Sequence, residues 1–128
     1  MISFNIQKLS QKQKEDKAMR QIKAFLRTQA SDKFLKPEYR DNENPYYGHC
    51  YVASEVLFHK LGGKKEGYTV HRMNHENTSH WFIKSQNGRI LDPTVLQFRT
   101  KPNYDQAKRS AFLTQAPSKR AQQMEKQI

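Results

Sequence analysis

The stretch Ser79-His80-Trp81-Phe82-Ile83-Lys84-Ser85-Gln86-Asn87-Gly88-Arg89-Ile90-Leu91-Asp92-Pro93-Thr94 decides the fold class of this chain. Two short apolar runs flank Asn87-Gly88, the strongest short hairpin signal, because both central positions of a type I′ turn need positive φ. The stretch therefore reads as an antiparallel hairpin. His80 to Ser85 runs out, Arg89 to Leu91 returns, and Asp92-Pro93 ends it. With Asn87-Gly88 as a two-residue loop, Gln86 opposes Arg89, Ser85 opposes Ile90 and Lys84 opposes Leu91. Asp92 then falls opposite Ile83, about three residues along from His80. A bulge, a longer pairing or a diagonal contact is needed to join the two.

Upstream, Tyr68 to Met73 alternates and reads as a further strand, with Asn74 to Ser79 as a polar loop. Cys50 to Leu61 reads as a helix whose buried stripe is Val52, Ala53, Val56, Leu57 and Leu61. Gly62 is placed for a left-handed C-terminal cap. Ser31 to Gly48 reads as a loop punctuated by Pro37 and Pro45, pinned by Phe34, Leu35 and Tyr39. Ser10 to Thr28 is a helix with Ala18, Met19, Ile22, Phe25 and Leu26 at spacings of three and four. Beyond Phe98, Tyr104 to Leu113 and Pro117 to Gln127 read as helices, with Pro117 in the first turn of the second. The expected fold is α+β in one domain spanning 1–128. One helix packs on a three- or four-stranded antiparallel sheet, with basic helices at both ends.

The net charge of +11 is uneven. Residues 1–40 hold ten Lys/Arg against four Asp/Glu, residues 41–98 six of each, and residues 99–128 seven against two. Basic flanks suit a nucleic acid or another polyanion, or simply solvated helix faces. Lys119 and Arg120, with Phe34, Tyr39, Phe98 and Tyr104 as stacking rings, are the candidates for nucleic-acid contact. No run approaches the roughly 20 apolar residues of a membrane span. Met1 to Ile6 is too short and polar for a signal peptide. The single cysteine excludes an internal disulfide, and a lone thiol fits a reducing, cytoplasmic setting. Oligomeric state is not legible.

That cysteine, Cys50, follows Gly48-His49 and opens the 50–61 helix. A thiol acts as a nucleophile only as thiolate, which a helix N-terminus and a nearby imidazolium both favour. His80 can supply the imidazolium and act as general base, and Asp92 can hold its second nitrogen. The backbone N–H of Cys50 is a natural oxyanion donor. Asn44, Tyr46, Tyr47, His49 and Trp81 are the candidate pocket residues. Each has a plainer alternative. Cys50 can be a small buried apolar residue, Asp92 can cap its own turn, and the residues before Cys50 can be loop packing. Glu55 and His59, four apart, read as a surface pair. His71, His75, His80 and Glu76 match no zinc spacing, so neither metal nor cofactor is expected.

The order Gly48-His49-Cys50, then His80-Trp81, then Asp92-Pro93-Thr94 resembles the transglutaminase-like and papain-like cysteine enzyme superfamily, over about residues 44–98. The resemblance implies Cys50 as nucleophile, His80 as general base and Asp92 as orienting acid. The chemistry it implies is attack on an amide, thioester or ester carbonyl, with transfer to water or an amine. The superfamily commonly separates the His and Trp by one residue, whereas here they are adjacent, which puts Trp81 on the opposite strand face. Two further readings stand beside this one. One is a nucleic-acid-binding accessory protein with a vestigial triad, the other an effector that inhibits a partner by contact alone.

Overall fold

The computed structural model describes residues 9–40 and 42–128. Met1 to Ile6, read above for a leader, and Asp41 lie outside them. The chain is α+β, with three α-helices and a four-stranded antiparallel sheet among the described residues. Helix α1 is Gln11–Leu26, α2 is Cys50–Lys60 and α3 is Lys119–Glu125. Strands β1 (Thr69–His75), β2 (Thr78–Lys84), β3 (Ile90–Leu91) and β4 (Lys108–Ser110) lie in the order β3-β2-β1-β4.

Helix α1 starts where Ser10 and Gln13 exchange a capping box, and its stripe of Ala18, Ile22, Phe25 and Leu26 is buried. Helix α2 stops at Gly62, which takes φ +100 as a left-handed cap. Val52, Ala53, Val56 and Leu57 from α2 meet Tyr68, Val70, Ile83 and Leu91 from the sheet in one core. The opposite sheet face carries His71, Met73, His80 and Phe82, and the chain after β3 folds over it. Phe98 stands edge-on to His80, and Tyr104 edge-on to Phe82.

Six expectations about these elements need correction. The polar segment Asn74 to Ser79 is not a loop, since β1 and β2 run on until His75 pairs with Thr78. Glu76 and Asn77, at φ 50 and 60, form the two-residue turn with both φ positive. A glutamate in that conformation is costly. Here its carboxylate accepts hydrogen bonds from the Arg99 and Thr100 backbones and from the Thr100 hydroxyl.

The Asn87-Gly88 hairpin is, conversely, one residue wider than expected. Ser85 N–H donates to Arg89 O at 2.9 Å, and Gly88 (φ +86) alone of the loop residues has positive φ. The Ser85 hydroxyl holds the wider loop, donating to Asn87 Oδ1 and accepting from the Arg89 N–H. The register is Ile83 with Leu91 and Lys84 with Ile90.

The third correction concerns Tyr104 to Leu113, which holds one 3-10 turn, Tyr104–Gln106, and then β4. Strand β4 satisfies the free edge of β1, while its own outer edge carries Lys108 and Arg109, charges that discourage further pairing. The fourth is that 31–48 is partly helical, with 3-10 segments at Gln29–Phe34 and Pro37–Tyr39. The fifth is that Glu55 is not a surface residue. It is 1% exposed and accepts from Ser118 N at 3.0 Å and Ser118 Oγ at 2.8 Å. Finally, Pro117 lies ahead of α3 rather than in its first turn, because Ser118 is the N-cap, its Oγ accepting from Ala121 N. No helix among the described residues is long and apolar enough to cross a membrane.

Candidate active site

Strand β3 ends at Leu91, so on that side the edge of β2 is unpaired at Ser79 and Trp81. Helix α2 fills the gap. Cys50 Sγ donates to Ser79 O at 3.6 Å, and Ser54 Oγ donates to Trp81 O at 3.1 Å. The match is geometric. Four helical residues advance about 6 Å, and two strand residues advance about 6.6–6.8 Å. A serine one turn after the cysteine thus locks the helix to alternate carbonyls of β2. The lock sets the first residue of α2 beside the third residue of β2, His80.

The changed hairpin register brings Asp92 to the same histidine. Continued past Leu91, it puts Asp92 opposite Phe82 rather than Ile83. Phe82 and His80 are two apart on one strand and share a face, so Asp92 lies on the diagonal from His80. Its Oδ2 is 2.6 Å from His80 Nε2, with His80 0% and Asp92 3% exposed. Tyr104 OH donates to the same Oδ2 at 2.8 Å, and Thr94 N–H to Oδ1 at 3.3 Å. The turn-capping role and the histidine contact therefore coexist in one carboxylate.

With Nε2 on Asp92, Nδ1 is the nitrogen left to face the thiol. Gln97 Nε2 lies 3.2 Å from that nitrogen. Burial pulls the His80 pKa down. Hydrogen bonds and charge from Asp92 and Cys50 outweigh it, lifting the value to about 9. Burial, then Asp92, push the Tyr104 hydroxyl well above its ordinary range, so it stays a donor.

The N-terminus of α2 is left open. His49 occupies the cap position, and among the described residues no side chain caps the helix. The first N–H groups, Cys50 among them, keep their donor capacity for a ligand. A cleft of about 350 Å³ lies over Cys50, lined by Tyr39, Tyr47, Tyr51, Trp81, Gln97 and others.

Of the candidate pocket residues, Tyr47 and Trp81 line this cleft and the other three do not. Tyr46 is buried in the core. Asn44 braces its own loop, accepting from Tyr46 N and donating to Leu96 O. His49 turns inward, 1% exposed, with neither ring nitrogen partnered among the described residues. Burial, against the pull of nearby Asp32 and with help from Arg120, holds its pKa down to about 4. The rings offered for base stacking are engaged within the fold. Phe34 is in the core, Phe98 and Tyr104 lie on His80 and Phe82, and Tyr39 packs edge-on to Tyr47. Lys119 is exposed, while Arg120 donates to Phe34 O and borders the cleft. Sequence reasoning missed Ser54, Gln97 and Tyr104 as parts of the site. Ser54 is legible as a polar residue inside an apolar helix face, but Gln97 and Tyr104 lie in irregular chain without a motif.

Comparison with protein families matches residues 14–127 to the model described as YunG protein. The chain belongs to the YunG family. No curated protein and no solved structure gives a significant match.

Proposed function

We propose that this protein is a thiol-dependent hydrolase or acyltransferase working through Cys50, His80 and Asp92, in the manner of the papain-like and transglutaminase-like enzymes. The observation that carries the reading is one buried histidine held by Asp92 at 2.6 Å, beside a thiol at an uncapped helix N-terminus. His80 Nδ1 takes the Cys50 proton, and Sγ adds to the carbonyl carbon of an amide, thioester or ester. The oxyanion is met by the Cys50 N–H and by Gln97 Nε2, which swings from His80 Nδ1 toward the cleft. Collapse breaks the bond to the leaving group, which takes the proton from His80 and departs, leaving a thioester on Cys50. Water or an amine, deprotonated by His80, then attacks that thioester and releases Sγ.

The test is alkylation of Cys50 by iodoacetamide between pH 5 and 9, read by intact mass in the wild type, His80→Ala and Asp92→Ala. At pH 7 the wild type is expected to label about tenfold or more faster than His80→Ala, with Asp92→Ala between. Equal rates in all three, rising as for a free cysteine, would refute it.

A further inference from the structure

The cleft over Cys50 has a consistent electrical character. Lys36 and Arg120 border it, and no aspartate or glutamate does. The open N-terminus of α2, whose first residue Cys50 lines the cleft, adds positive potential there. Its walls are aromatic, with Tyr51 and Trp81 edge-on at 4.9 Å and Tyr39 and Tyr47 at 5.4 Å. Cationic groups in a narrow hollow with low-dielectric walls concentrate anions. Aromatic faces favour a flat or apolar body beside the charge. At about 350 Å³ the hollow suits a small molecule or one or two side chains, at the small end of ligand pockets.

We infer that the substrate is an anionic acyl donor: a small amide, thioester or ester whose flat or apolar body carries a carboxylate or phosphate that Lys36 and Arg120 receive. This rests on the thiol chemistry proposed above. It adds a selection rule that the Cys50, His80 and Asp92 geometry does not contain. Lys36 is exposed and precedes the Pro37–Tyr39 turn, so its charge can be removed without disturbing packing. Arg120 also holds Phe34 O, so its variant is read alongside.

The experiment compares two alkylating agents of nearly equal size on Cys50, anionic iodoacetate and neutral iodoacetamide, at pH 7 and low ionic strength. The proteins are the wild type, Lys36→Gln, Arg120→Gln and the double variant, with a free cysteine peptide as reference and thermal melts as a check on folding. The expected iodoacetate-to-iodoacetamide rate ratio in the wild type is about tenfold above that of the peptide. It falls about threefold or more in Lys36→Gln and further in the double variant, and salt lowers it. Each protein's own iodoacetamide rate is the denominator of its ratio, so a general change in thiol reactivity cancels. A wild-type ratio equal to the peptide's, or one that Lys36→Gln leaves untouched, would overturn the inference. Slow iodoacetamide labelling with an ordinary thiol profile would instead remove the thiol chemistry itself, so the two failures are distinct.

Discussion

Burial by itself lowers a histidine's pKa, because the imidazolium loses its water. The two buried histidines nearest Cys50 divide on this point. His49 follows burial down to about 4, having no hydrogen-bond partner among the described residues. His80 goes up to about 9 because Asp92 and Cys50 favour its charged form. Opposite pH dependences of stability follow. The unfolded chain binds a proton at His49 near 6.5 and the folded chain only near 4, so this stability is present above 6.5 and lost as pH falls through 4. His49→Leu should therefore flatten the acid side of a melting-temperature profile, the wild type losing up to about 3 kcal/mol there. For His80 the folded value lies above the unfolded one. Its contribution is full below 6.5 and disappears as pH rises through about 9. Asp92→Asn should remove most of that alkaline loss in the same melts.

Helix α2 and strand β2 are joined by two side chains of one helix face, Cys50 and Ser54, on the bare carbonyls of Ser79 and Trp81. Ser54→Ala removes the partly buried hydrogen bond to the Trp81 carbonyl, a cost of about 0.5–1.5 kcal/mol. It also loosens the alignment of Cys50 with His80. Denaturant unfolding should show the lost stability, and Cys50 alkylation at pH 7 should slow while Ser54→Thr restores part of it. The β1–β2 turn gives a separate test. Asn77 sits at φ 60, so Asn77→Gly should be nearly neutral, whereas Asn77→Val should cost about 1–2 kcal/mol. Thermal melts distinguish the two.

Helix α3 is distant in sequence from the core it completes. Met124 is fully buried with α1 and α2 residues, and Ser118 ties the helix start to Glu55. Met124→Ala should cost about 2–5 kcal/mol. Read by fluorescence and circular dichroism, unfolding should shift to lower denaturant by both probes together, because α3 belongs to the same core. Most elements were legible because each carries its own local signal: the stripe of α1, the stripe and terminal glycine of α2, the alternation of β1. Strand β4 was not legible, because three polar residues pair only when a neighbouring edge is presented to them.

Local chemistry by itself determined the α+β class, the two long helices, the central strands, and the order of thiol, imidazole and carboxylate along the chain. Those features depend on side-chain periodicity and on backbone preferences within a few residues. Only the tertiary structure decided the register of the Asn87-Gly88 hairpin, and with it the sheet face on which Asp92 stands. Strand side chains alternate with period two, so a single residue of loop width reverses the face. The folded chain also decided that Glu55 is buried and that Gln97 and Tyr104 stand beside His80 and Asp92. Each of those contacts joins segments from different elements, and nothing in either segment alone specifies its partner.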